Sequence, residues 1–168
     1  GLYKHHKVIL TPLDTTDASA LKLVSDAWAV TGAEVLLMEV ERHDAVLACT
    51  SHLPHMLAFS LVDTLAREDE NQEIFRYAAG GFRDFTRIAS SDPTMWHDIF
   101  VANRDAVLMA LDHFSRGLND MRTAVAQQDS QAMLGIMTRA KVARDHFTKM
   151  LAKRAYSKPM KQREITYT

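Results

Sequence analysis

The spacing of apolar and polar positions changes near residue 40. Before it, Val8-Ile9-Leu10 is a short apolar run halted by Thr11-Pro12, the pattern of a buried strand running into a loop. Asp14, Thr15, Thr16 and Asp17 then offer helix caps, and Leu21, Val24 and Trp28 share one helical face until Gly32 stops it. Glu34 to Val40 is a second β-prone run. Strand, helix and strand within about 35 residues is the length of one β-α-β crossover of a parallel sheet. Two strands do not make a stable parallel sheet alone. Residues 1–40 therefore predict the trailing edge of an α/β domain, and Gly1 in place of a starting methionine adds the expectation of a truncated chain.

From Glu41 the spacing is helical, through Ala45 to Cys49 and then Met56, Leu57, Phe59, Leu61, Val62 and Leu65 up to Arg67. Pro54 lies inside this run, where a proline costs about 3 kcal/mol, so a kink or break is predicted there. Ser51 and His55, four apart, fall on one face, with His52 on a neighbouring line. Three readings fit them: a polar pocket, histidines hydrogen-bonded within the packing, or two ligands of a metal site that lacks a third at diagnostic spacing. Residues 68–73 read as an acidic, solvated connection, and Ile74 to Ala79 as a short lead into Gly80-Gly81.

Beyond the two glycines, which tolerate unusual backbone angles and close approaches, Phe82, Phe85 and Ile88 form an apolar face while Arg83 and Arg87 form a cationic one. Ser91 and Asp92 are good N-caps and Pro93 suits a first helical position. A helix is thus predicted from about Pro93, with Trp96 in its first turn. The Arg87 guanidinium, the Trp96 ring N–H and free backbone donors can converge there on a carboxylate. The alternative is Arg87 paired with Asp84 on the surface, a contact of about 0–1 kcal/mol, with Trp96 as ordinary core.

Val107, Leu111, Phe114, Leu118, Met121 and Val125 alternate spacings of four and three, the period of a coiled-coil seam. An unbroken helix from Pro93 to Ala126 would be about 50 Å long. A globule of this chain length spans only about 40 Å. After a cap-and-turn cluster at 127–130, a second helix carries Met133, Met137, Ala140, Phe147 and Leu151, completing an αα-hairpin. The hairpin can be intrachain core, but its length favours a homodimer through these helices. The methionines, Met150 among them, suit adaptable packing better than a cofactor role. Residues 156–168 read as a tail or linker.

Composition narrows the partners. Across 168 residues the formal charge is −1, which asks for neither nucleic acid nor an anionic membrane. Lys149, Lys153, Arg154, Lys158, Lys161 and Arg163 suit a helix C-terminus and tail. The single cysteine, Cys49, excludes an intrachain disulfide and fits a reducing compartment. No uninterrupted apolar run approaches spanning length and no charged segment precedes an apolar one, so a cytoplasmic protein without a membrane span is expected.

Thr11-Pro12, His43-Asp44, Ser51-His52-Leu53-Pro54-His55, and the run from Gly80-Gly81-Phe82-Arg83-Asp84-Phe85-Thr86-Arg87 through Ser91-Asp92-Pro93 to Trp96 resemble the prephenate/arogenate (cyclohexadienyl) dehydrogenase family of tyrosine biosynthesis. The resemblance runs in order from about Val8 to Leu151. It implies a mainly α fold: a helical dimerisation domain with a long αα-hairpin over 41–155, preceded at 1–40 by a short β-α-β remnant of a Rossmann domain. It also implies oxidative decarboxylation of prephenate or arogenate with NAD or NADP. Arg87 would hold a substrate carboxylate, Ser51, His55 and Trp96 would complete the pocket, and His52 matches the motif. Asp84 would belong to a gating ionic network, with His43 near it, where some members respond to tyrosine.

The departures are equally specific. The glycines, at 1, 32, 80, 81, 117 and 135, form no Gly-x-Gly-x-x-Gly, and the His-Pro dipeptide that carries the family's catalytic histidine is missing. The expectation is a C-terminal part with no catalytic, cofactor-binding or metal-ligating residue of its own, binding no nicotinamide cofactor and inactive alone. The rival reading is a non-catalytic helical dimer module that binds an aromatic amino acid; the two differ at Arg87.

Overall fold

The structure, a computed structural model, describes residues 2–4, 6–69 and 71–156; the expected tail after Tyr156 lies outside them. Contacts divide the chain into two compact units, residues 1–113 and 114–168, with the boundary inside one helix.

In the first unit, β1 (Lys7–Leu10) pairs in parallel with β2 (Glu34–Leu37), with Val8 opposite Val35 and Ile9 opposite Leu36. The crossover is α1 (Ala18–Val30). It starts where the Asp17 carboxylate accepts the Ala20 N–H at 2.8 Å; a hydrogen bond from the Ser19 hydroxyl, and after it this one, holds the Asp17 carboxyl below its usual value. Gly32, at φ +88°, makes the turn into β2 that a side chain would strain. Leu21 and Trp28 are half-buried as the periodicity predicts, whereas Val24 is exposed.

The second strand is shorter than expected, because Val40 already begins α2 (Val40–Leu47). A π-helical segment, Ala48–His52, joins it to α3 (Leu53–Ala66), so the helix continues through Pro54 instead of breaking. Pro54 has no N–H for an ordinary bond one turn back. The wider π turn, in which the Leu53 N–H reaches Ala48 O, absorbs the missing bond. By length and composition the helix over residues 40–66 could also cross a membrane, with mean hydropathy 1.4 over an 18-residue window, although it holds no uninterrupted apolar run of that length. Here the helix is instead the scaffold: α3 carries α4 (Asn71–Arg76), α5 (Gly80–Thr86) and the 3-10 turn Arg87–Ser90 against it.

Three expectations are corrected. The acidic connection is helical from Asn71 onward rather than a loop to residue 73. Gly80 and Gly81 are helical and a Cβ at either would meet nothing within 4 Å, so neither supplies a close approach. The helix from Pro93 stops after ten residues: α6 (Pro93–Ala102) gives way at Asn103 (φ −110°, ψ 33°) to α7 (Arg104–Ala126). Asparagine takes such non-helical angles readily. At 23 residues α7 is about 35 Å long, so the length argument for a dimer falls.

The core of this unit is Ala48, Val107 and Ala110, with Leu53, Met56, Phe100 and Ala106 packed around them. The π segment thus lies at the centre of the packing. In the second unit, α7 from Phe114 onward is followed by a turn at 127–129 and α8 (Ser130–Tyr156). Gln128 takes φ 53° there, and the Asp129 carboxylate caps α8 by accepting the Ala132 N–H at 2.9 Å. Ala124 is buried, but Leu118, Val125, Leu134, Met137, Phe147 and Leu151 remain exposed.

Candidate functional site

Trp96 is the centre of the site, 6% exposed although it stands in the first turn of a helix. It is held there by local chemistry: the Asp92 carboxylate accepts the Met95 N–H at 2.9 Å, Pro93 follows it, and the Ser91 hydroxyl donates to Ile88 O at 2.7 Å. The His55 ring stacks on the indole with centroids 3.7 Å apart and planes 21° apart. His52 meets it edge to face at 6.1 Å, and Phe100 lies 5.6 Å away. Met56, Phe59, Ser60, Pro93, Trp96, His97 and Phe100 line an open, mainly apolar groove of about 360 Å³.

The hydrogen bonds assign the protons. His55 Nδ1 lies 2.8 Å from Ser51 O, and a carbonyl only accepts, so Nδ1 carries the hydrogen and, in the neutral ring, Nε2 is left an acceptor. Ser51 thus acts here through its backbone. His52 Nδ1 lies 3.2 Å from the Asn103 amide nitrogen, which only donates, so the neutral His52 ring carries its hydrogen on Nε2. The two imidazoles beside the indole therefore hold opposite tautomers. The Trp96 Nε1–H is buried and meets no acceptor among the described residues, a defect that costs about 1–3 kcal/mol in a folded protein.

Burial lowers the His52 pKa from its ordinary value; Asp44 opposes this, and His43 and His55 add to it. Below the ordinary histidine value of about 6.5 the unfolded chain takes up the proton before the folded one, so this contribution to stability is present above that pH and is lost as pH falls toward the folded value. Urea unfolding of the parent and of His52→Asn between pH 8 and 5 is expected to give a stability difference that shrinks below pH about 6.5, by no more than about 1.4 kcal/mol per pH unit. A pH-independent difference would refute it.

The other expected residues are more dispersed in role. His43 Nδ1–H donates to the Asp44 carboxylate at 2.9 Å, both half-exposed. Asp84 and Arg87 are exposed, and neither makes an ion pair among the described residues, so the surface Arg87–Asp84 pair is not formed. Arg87 opens the 3-10 turn that packs on α3, the helix that bears His55. Among the described residues no three His, Cys, Asp or Glu side chains gather as metal ligands. Asn103 was not marked by any motif; the only sequence signal is an asparagine between two apolar helical runs, a position that favours a helix end. A larger cleft of about 540 Å³ beside the 127–129 turn, lined by Asp120, Thr123, Gln127, Gln131 and Arg139 among others, brings together no comparable acid–base set.

Fold and site together define a helical module, joined to a β-α-β unit, whose site is aromatic and imidazole-lined. Comparison with known proteins makes this specific. Residues 39–139 match the family described as prephenate dehydrogenase, dimerization domain. The chain is 44% identical over 135 residues to the cyclohexadienyl dehydrogenase of Zymomonas mobilis, covering 79% of this chain and 46% of that protein. It is 40% identical to the prephenate dehydrogenase of Bacillus subtilis, over 86% of this chain and 39% of that protein. The crystal structure of prephenate dehydrogenase from Aquifex aeolicus with hydroxyphenyl propionate and NAD+ superposes with a TM-score of 0.81 at 41% identity, over 87% of this chain and 51% of that one. The chain belongs to the prephenate dehydrogenase family. It spans less than half the length of these two curated relatives.

Gly32 is a turn glycine whose added Cβ would meet the Lys4 backbone at 3.3 Å, and no glycine triplet opens α1.

Proposed function

We propose that this chain supplies the substrate-binding and dimerising part of an NAD(P)-dependent prephenate or arogenate dehydrogenase acting in tyrosine biosynthesis in the cytoplasm. The domains expected from the sequence, a dinucleotide-domain edge over 1–40 and a helical domain over 41–155, fit that division. The observation that carries the reading is the buried Trp96 N–H, without an acceptor among the described residues, beside the His55 ring, whose Nε2 is an acceptor in the neutral form. A donor on a residue that lines the apolar groove, with an acceptor on the ring stacked against it, suits an oxygenated six-membered ring. Arg87, exposed and without an ion pair among the described residues, on the turn packed against α3, is suited to the carboxylate of the same ligand, bidentately. Ser51 and His52 complete the pocket, and Asp84 and His43 belong to its gate. The exposed apolar residues of α7 and α8 support a homodimer through these helices.

A protein that joins this chain to a dinucleotide-binding domain is expected to reduce NAD+ or NADP+ in the presence of prephenate or arogenate. The 168-residue chain alone is expected to give no reduction above the blank. Inertness of the joined protein toward both substrates would refute the function; reduction by the isolated chain would refute the division of labour.

A further inference from the structure

Asn103 stands where three helical segments meet, and its side chain is half-buried there. Its Nδ2 donates to Asp44 O of α2 at 2.9 Å and to His52 Nδ1 of the π segment at 3.2 Å. The Asp44 carbonyl can only accept, which fixes the amide nitrogen rather than the amide oxygen on this side. An amide nitrogen has two hydrogens; one goes to the carbonyl and the other to the imidazole. Both partners lie more than fifty residues away in sequence, 59 and 51 respectively.

From this geometry we infer that Asn103 is a positioning residue: it holds His52 as the Nε2–H tautomer, and so sets the opposite polarities of His52 and His55 around Trp96. The break between α6 and α7 is what makes this possible. In a continuous helix the residue would take helical angles; at φ −110°, ψ 33° it turns the chain and its amide bridges to α2. The consequence is a site with one imidazole donor and one imidazole acceptor, fixed before any ligand arrives. Charged and titratable neighbours of His52 are Asp44 and His43 on α2 and His55 on α3. Of these, Asp44 is tied to Asn103 only through its backbone, so the amide can act on the tautomer without changing the local charge.

The assignment of the tautomer does not depend on the proposed function; its use in orienting a hydroxylated ring rests on that reading. Nitrogen NMR of the imidazole rings of the full 168-residue chain separates protonated from unprotonated ring nitrogens. His52 is expected to show a protonated Nε2 and an unprotonated Nδ1 above its pKa, and His55 the reverse. In Asn103→Leu, which removes both amide hydrogens at similar volume, His52 is expected to become a tautomer mixture with its pKa raised, because a hydrogen bond to the neutral ring is lost. In Asn103→Asp, a carboxylate facing Nδ1 is expected to draw the hydrogen onto that atom. A protonated Nδ1 in the parent overturns the inference with no variant needed. So does a folded Asn103→Leu whose His52 tautomer and pKa match the parent. Titrating hydroxyphenyl propionate into the parent tests the other reading: if the tautomers are as stated but neither imidazole responds to the ligand, the functional assignment fails while the positioning role stands.

Discussion

Trp96→Ala is expected to lower the unfolding free energy by about 3–5 kcal/mol, the range for emptying a buried aromatic position, and Tm by on the order of 10 °C. The indole is almost wholly enclosed and touches three other rings, so its loss opens a hole that His55, His52 and Phe100 can fill only by leaving their own hydrogen bonds or packing. Trp96→Phe separates stability from binding. It keeps a ring to stack on His55 and deletes a buried donor that has no partner among the described residues, so the two effects oppose and stability is expected to stay within about 1 kcal/mol of the parent. Its affinity for hydroxyphenyl propionate, measured calorimetrically, is expected to fall about tenfold if the N–H donates to the ligand. Unchanged affinity in a stable Trp96→Phe would remove the indole N–H from the site.

Arg87→Ala is expected to act in the opposite way, leaving stability alone and weakening ligand capture. The side chain is exposed and makes no ion pair among the described residues, so its removal is expected to shift unfolding by less than about 0.5 kcal/mol. A charge-assisted bond to a carboxylate contributes about 1.5–3 kcal/mol, which predicts a 10- to 150-fold rise in the Kd of hydroxyphenyl propionate. Arg87→Lys is expected to lie between, because lysine keeps the charge and loses the fork that matches two carboxylate oxygens. Ethylphenol, the same ring without the carboxylate, serves as the control: Arg87→Ala is expected to bind it as the parent does. Equal loss for both ligands would mean that Arg87 shapes the groove instead of gripping the acid, and no loss for either would favour the non-catalytic module.

Comparison of the chain with its structure shows which signals are local. Asp17, Asp92 and Asp129 each accept a backbone N–H three residues on, so the starts of α1, α6 and α8 were legible from residue type and position alone. The parallel strands followed from two apolar runs at crossover distance. Pro54 announced an irregularity, but not its form: whether a helix breaks, bends or widens depends on what packs against it, and here Ala48 sits fully buried against Val107 and Ala110. The uninterrupted helix expected from Pro93 failed for the same reason. A heptad-like repeat is indifferent to one asparagine, whereas the amide of Asn103 finds partners on another helix that no local pattern records.

By itself the sequence determined the mainly helical class, the β-α-β unit, the caps, the turn at 127–129 and the motifs that carry the family likeness. Each of these depends on neighbours within a turn or two of the chain, on two apolar runs one crossover apart, or on the order of short motifs. Only the tertiary structure decided which nitrogen of His52 bears the hydrogen, that the Trp96 N–H is enclosed without an acceptor among the described residues, and that Asn103 bridges two segments. A proton's position follows from the donor or acceptor standing opposite it, and for His52 that group comes from a part of the chain 51 residues away.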